Sequence, residues 1–226
     1  MTIGFRVLKR KRAVAEHIAK RLAALPVANI SDSMSRITAG GARLRPYHAP
    51  GTRLAGPALT VRTRPGDNLL VHKAIELAER GDVIVVDAGG DLTNSIMGEI
   101  MATIAIRKGV AGFVIDGAIR DAEEIRDSGI AMFAAGVTHR GPYKDGPGEI
   151  NVPIAIDGMV IQPGDLVVGD GDGVLCVPFE AAEEILAAGE AKQAAEKQEL
   201  EAIAEGTNDR TWIDRTLQAK GCTMEQ

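Results

Sequence analysis

Aromatic side chains are scarce in this sequence: Phe, Trp and Tyr make up 3% of its 226 residues. A core built without them must be aliphatic, packed from Val, Ile, Leu and Ala. Cysteine is scarcer still. Cys176 and Cys222 are the only two, too few for a disulfide framework, and the cytoplasm is the expected compartment. Cys176, inside the apolar run VLCVP, reads as a core residue. No apolar run reaches the length that spans a bilayer and the N-terminus lacks a signal peptide's apolar segment, so no membrane partner is expected. An excess of positive charge is missing too. The net charge of −5 argues against a nucleic-acid partner, whose phosphates demand a basic surface. The stretch RVLKRKR (6–12) is a local exception and reads as a solvated, mobile N-terminal face.

Glycine, by contrast, is abundant at 26 residues, which implies tight turns and close backbone approaches. Residues 13–25 have helical periodicity ending at Pro26, and VANISDSMSRI suggests a second short helix capped by Ser31 or Asp32. A strand at 58–63, a helix over DNLLVHKAIELAERGD ending near Gly81, and a buried strand VIVVDAGGD (83–91) running into a glycine-acid loop come next. A helix at about 98–108, the strand AGFVI, a helix through roughly 128 and the strand IAMFAAG continue the alternation. Residues 150–178 are short strands broken by DG, PGD and GDGDG, the pattern of antiparallel hairpins. From Phe179 an Ala- and Glu-rich helix runs to about Glu205, followed by a polar tail. Its large apolar residues, Ile185, Leu186, Leu200 and Ile203, are too few for a core helix, so it is expected along a surface or on a neighbouring subunit. The pattern predicts a mixed α/β domain with layered sheets, not a pure doubly wound sheet, with a C-terminal helical arm. It divides into an N-terminal helix (1–25), an α/β domain (26–178) and a C-terminal helix and tail (179–226).

Two stretches carry chemistry. Gly98-Glu99-Ile100-Met101 opens a helix, and a helix start presents unpaired N–H groups and partial positive charge, which suit a carboxylate or phosphate. Arg120-Asp121 stands at the end of a buried strand. A guanidinium can hold a carboxylate bidentately, and an adjacent carboxylate can hold Mg²⁺. Each has a plainer reading that local physics favours: any helix begins this way, and Asp121 with Glu124 forms a D-x-x-E capping box. The turn with Asp170 and Asp172 reads as a hairpin, and Asp87 and Asp91, flanking AGG, suit either a cation or a turn. The four histidines, 17, 48, 72 and 139, have no zinc-ligand spacing.

GEIM, the apolar helix and strand after it, DGAIRD and an acid three positions later resemble the RraA-like family, as do GPALTVRTRPGDNLLVHKAI, RGDVIVVDAGGD and GDLVVGDGDGVLCVP. The likeness covers about residues 26–190. That family comprises class II 4-hydroxy-4-methyl-2-oxoglutarate and 4-carboxy-4-hydroxy-2-oxoadipate aldolases together with regulators of ribonuclease activity. The resemblance implies a sandwich related to swivelling phosphohistidine-type domains, assembled as a homotrimer or homohexamer. It implies cleavage of a 4-hydroxy-2-oxo di- or tricarboxylic acid to pyruvate and a second 2-oxo acid, with oxaloacetate decarboxylation as a side activity. It places the substrate carboxylate at Gly98, Glu99, Ile100 and Met101, substrate binding and catalysis at Arg120, the divalent metal (Mg²⁺ or Mn²⁺) at Asp121, and a contact with metal-bound water at Glu99. Arg62, Arg64, Arg140 and Lys144 are candidates for the substrate's further carboxylates. The alternative it carries is a protein-binding regulator without catalysis, whose motif departs at the metal aspartate; here Arg-Asp is intact.

Overall fold

The structure, a computed structural model, describes residues 3–38, 40 and 42–223. These form two compact units, one ending at Gly189 and one starting at Glu190. The first begins with β1 (Phe5–Val7), α1 (Glu16–Ala23), α2 (Val27–Ser33) and β2 (Arg45–Pro46). Strand and helix then alternate: β3 (Leu54–Thr63), α3 (Leu69–Leu77), β4 (Val83–Met97), α4 (Glu99–Lys108), β5 (Gly112–Ile119), α5 (Ala122–Asp127) and β6 (Ala131–Val137). Short strands follow, β7 (Gly148–Ile150), β8 (Ile154–Ile156), β9 (Met159–Ile161), β10 (Leu166–Asp170) and β11 (Gly173–Val177). The chain closes with α6 (Ala182–Glu205) and α7 (Trp212–Ala219).

Strands β3, β4, β5 and β6 are parallel neighbours, joined by helices as parallel pairs require. β7 and β10 flank β3 antiparallel, and β2 closes the far edge antiparallel to β6. Because successive strand residues point to opposite faces, the central strands feed two cores. Val61, Ile84, Val86, Phe113 and Ile115 pack with residues of α3, α4 and α5. Val83, Val85, Val114 and Phe133 pack with the hairpin residues Ile154, Ile156, Ile161 and Val167. Double-sided burial explains why these strands read as continuous apolar runs, and β5 is buried along its whole length. A third layer, made of α1, α2 and the start of α6, covers Leu166, Val168, Leu175 and Val177. The chain is thus a compact layered α/β sandwich with a mixed sheet and a C-terminal helical arm, as the alternation and the resemblance together imply.

Several local expectations give way to tertiary structure. The basic N-terminal stretch is anchored, not free: β1 pairs with β7. Arg6, Arg10 and Arg12 hold Glu149, Asp82 and Asp165 at 2.6, 2.6 and 3.2 Å, and those acids are 3%, 1% and 4% exposed. Ser31 and Asp32 lie inside α2, not at its start, because Pro26 opens that helix; the Asp170 carboxylate accepts the Val27 N–H at 3.0 Å instead. β4 does not stop at Asp91. It continues to Met97 through register shifts on β5, with Gly89 and Gly90 at positive φ supplying the irregular backbone. In α6, Ile185 and Leu186 join the third core, so its first turns are core helix, whereas Leu200 and Ile203 are exposed. The tail after Glu205 contains α7, a helix absent from the sequence reading. Cys176 is buried as expected, and burial, with Asp165 nearby, pushes its thiol well above the usual range.

Candidate active site

α4 begins where β4 ends, with Gly98 as its N-cap in extended backbone and no side-chain cap of its own. The first N–H groups of any helix lack an acceptor one turn back. Here the cap comes from another element. Asp121 follows β5, and its Oδ2 accepts the Glu99 N–H at 3.0 Å. Asp121 occupies the N-cap position of α5, yet its side chain makes no capping bond there, and its φ of 56° lies in the left-handed region. The expected Asp121–Glu124 capping box is therefore not formed. A non-glycine residue at positive φ stores some strain, modest for Asp, and such residues cluster at functional sites. That backbone turn carries the carboxylate to α4, away from the helix it precedes.

Gly98 makes the approach possible. A Cβ on it would lie 2.5 Å from Asp121 Oδ2 and 3.1 Å from Arg120 Nε. Arg120 in turn has its N–H bound to the Met97 carbonyl at 2.9 Å, which fixes the ends of β4 and β5 together. Its Nε stands 3.6 Å from Asp121 Oδ2, with both side chains about two fifths exposed at 40% and 37%. The pair is held and still open to a ligand.

A cavity of about 310 Å³ lies against this corner, lined by Gly98, Ile100, Met101, Arg120 and Asp121 among others. The structure thus brings together the predicted residues except the Glu99 side chain, which is exposed and outside the lining; Glu99 contributes its backbone N–H. Of the four candidate cations only Lys144 lines the cavity. Arg62 lies against Glu149 and Asp87, and Arg64 holds Asp67. Lys144 is positioned by Asp67, whose buried carboxylate takes the N–H groups of Leu69, Asp145 and Gly146 and so ties α3 to the loop.

Two further lining residues were not foreseen from sequence. Asn68 and His72 line the cavity from α3, one helical turn apart. Burial, then the Lys144 charge, holds the His72 imidazole below its ordinary pKa. The signal available was Asn-x-x-x-His at a helix start, which as metal-ligand spacing means nothing.

Asp87 and Asp91 serve turns: each accepts a nearby backbone N–H, from Gly89 and Asn94. Among the described residues no cluster of three His, Cys, Asp or Glu could hold a metal. Mg²⁺ does not need one, since it keeps several waters and takes one or two carboxylates plus substrate oxygens. Asp121, half-open beside a glycine that clears the space around its oxygen, fits that requirement.

The sequence model of the RraA-like family, described as Aldolase/RraA, matches residues 27–176. The chain belongs to the RraA-like family. A Halalkalibacterium halodurans protein provisionally named 4-hydroxy-4-methyl-2-oxoglutarate aldolase is 41% identical over 181 residues, 80% of this chain and 86% of its own length. A 4-hydroxy-4-methyl-2-oxoglutarate aldolase of Thermus thermophilus is 40% identical over 126 residues, 56% of this chain and 76% of its own. The crystal structure of an unusual member of the RNase ES inhibitor RraA family from Streptomyces coelicolor superposes with a TM-score of 0.73 at 28% identity, covering 83% of this chain and 98% of that one. RraA-like kinship with named aldolases supports a lyase. Among the described residues no helix is long and apolar enough to cross a membrane.

Proposed function

We propose that this protein is a divalent-metal-dependent aldolase that cleaves a 4-hydroxy-2-oxo di- or tricarboxylic acid to pyruvate and a second 2-oxo acid, and decarboxylates oxaloacetate as a side activity. The observation that carries the reading is the convergence of Gly98, Arg120 and Asp121 on the α4 start at the mouth of a cavity. Neighbouring strand ends place cation, carboxylate and free N–H groups together.

The substrate's pyruvyl carboxylate is received by the N–H groups of Ile100 and Met101, where the helix dipole favours negative charge. Arg120 stands beside the 2-oxo oxygen. As the C3–C4 bond breaks, its electron pair passes into the enolate of pyruvate, and the fixed guanidinium stabilises the charge that gathers on that oxygen. A divalent cation, Mg²⁺ or Mn²⁺, held by Asp121 supplies Lewis-acid charge to the same region. The 4-hydroxyl loses its proton as C4 becomes a carbonyl, and Glu99, at the edge of the site, is the base acting through water. A proton returned to C3 completes pyruvate. Lys144 meets a further carboxylate of the substrate. On this reading the protein works in the cytoplasm as a homotrimer or homohexamer.

A second reading, a non-catalytic ribonuclease regulator, is supported by the likeness to the Streptomyces inhibitor-family structure. Lactate-dehydrogenase-coupled assays on a panel of 4-hydroxy-2-oxo acids separate the two. The aldolase releases pyruvate, stops with EDTA and recovers with Mg²⁺. Tight ribonuclease binding with no pyruvate from any substrate would overturn it.

A further inference from the structure

Asn68 and His72 present polar atoms that the folded chain leaves without partners. Asn is a favoured N-cap residue, its side-chain oxygen accepting an N–H from the first turn. Asn68 sits at the N-cap of α3 and does not do this. Asp67 Oδ1 accepts the Leu69 N–H instead, at 3.0 Å. The Asn68 amide turns toward β4, where Nδ2 donates to the Ile96 carbonyl at 3.1 Å. That bond fixes which end of the amide is which, since a carbonyl can be served only by the NH₂. Oδ1 is left buried and unpaired, on a side chain only 2% exposed. One turn along, His72 Nε2 is also buried without a partner. Residues four apart on a helix share a face, and both line the cavity that holds Arg120 and Asp121.

The chemistry of the two atoms narrows what can complete them. Asn68 Oδ1 is an acceptor and needs a donor. A carboxylate or keto oxygen only accepts, so it cannot serve. A hydroxyl donates once and accepts twice, so in the bound substrate it can donate to Asn68 Oδ1, before its proton turns to the water at Glu99, while accepting from His72 Nε2–H in the tautomer that carries the proton there. Burial, then the Lys144 charge, holds the imidazole below its ordinary pKa. We propose that Asn68 and His72 form a hydroxyl-recognising wall that selects substrates carrying a hydroxyl on the carbon beyond the enolate-forming unit. This rests on the aldolase reading for the placement of substrate, and gives that reading a determinant of specificity. Arg120 and Asp121 handle the oxo-acid end common to all 2-oxo acids; the α3 wall reads what distinguishes them.

The test is a binding comparison that needs no turnover. Dissociation constants of 4-hydroxy-2-oxopentanoate and 2-oxopentanoate, which differ by one hydroxyl, are measured on wild type, Asn68→Leu, His72→Phe and His72→Gln by titration calorimetry in EDTA, where cleavage is stopped. Wild type is expected to prefer the hydroxylated acid roughly tenfold or more. Asn68→Leu and His72→Phe lose the preference while still binding 2-oxopentanoate, and His72→Gln, which keeps a polar group there, recovers part of it. Equal binding of both acids by wild type overturns the proposal, whatever the variants do. So does an equal loss of both acids in the folded variants, which would mark a merely structural role. A preference in wild type with no pyruvate from any 4-hydroxy-2-oxo di- or tricarboxylic acid would sink the aldolase reading and leave the wall standing.

Discussion

Replacing Gly98 by alanine adds one methyl group at the point where two strand ends meet a helix start. The backbone there is extended, with φ −150° and ψ −175°, so alanine adopts it without strain. The damage is local. The new Cβ would lie 2.5 Å from Asp121 Oδ2 and 3.1 Å from Arg120 Nε, inside ordinary van der Waals contact, so the arginine must also give by a few tenths of an ångström. The carboxylate must retreat by roughly 1 Å to regain ordinary contact. It is the end of a half-exposed side chain and can do so, at the loss of its bond to the Glu99 N–H, worth about 1 kcal/mol. Melting should fall only by roughly 2–4 °C for a chain of this size. A displacement on the order of 1 Å at reacting groups, by contrast, costs about 100-fold in rate. Gly98→Ala is thus expected to keep its fold and lose about two orders of magnitude in kcat/KM for pyruvate release. Gly171→Ala is the control, because a Cβ there meets nothing within 4 Å. Gly98→Ala with undiminished turnover would refute the placement of Asp121 and Arg120 as working groups.

Arg10→Ala should destabilise the fold by about 3 kcal/mol, because it leaves Asp82, 1% exposed, without its ion partner. Burial already pushes the Asp82 carboxyl up, and Arg10 pulls it down, so losing Arg10 raises it further. The folded pKa then exceeds the unfolded one, and stability is lost as pH rises through the folded value; the deficit of Arg10→Ala should be smaller at pH 4.5 than at pH 7.5 in urea titrations, and a deficit larger at pH 4.5 would contradict this. A thiol reagent should titrate Cys222, which is exposed, in the native protein, and Cys176 only after denaturation. Rapid native labelling of Cys176 would show that the hairpin layer opens. His48, whose imidazole is buried against the Met132 backbone and held below its ordinary pKa of 6.5, should make wild type lose stability as pH falls below about 6.5, since the unfolded chain protonates first. His48→Asn should flatten that part of the profile, and an unchanged slope would refute the assignment.

The strand–helix alternation from residue 58 to 137 was readable because each strand is apolar on both faces and each helix ends at glycine or charge. The helix start at Gly98 was readable for the same reason: helix termini announce themselves locally. What Asp121 does was not. Its sequence neighbours argue for capping α5, and only the positive φ and the return of β5 beside β4 redirect its side chain to α4. The N-terminal arginines misled for a related reason, since their acids lie up to 168 residues away. Asn68 and His72 were invisible as a pair, because a cavity wall made of one helix face requires knowing which face looks inward. Local rules capture caps and turns; partners brought together by the sheet escape them.

The central claim is that Asp121 works as a metal-holding carboxylate and not only as the cap of α4. Pyruvate release from oxaloacetate, followed through lactate dehydrogenase in Mg²⁺, should be compared between wild type and Asp121→Asn. Asparagine tolerates the left-handed backbone and can still accept the Glu99 N–H, so the structural role survives while the charge is gone. The account predicts a melting point within a few degrees of wild type and a rate lower by on the order of 100-fold or more, with the wild-type rate abolished by EDTA. A folded Asp121→Asn protein that releases pyruvate at the wild-type rate would contradict it.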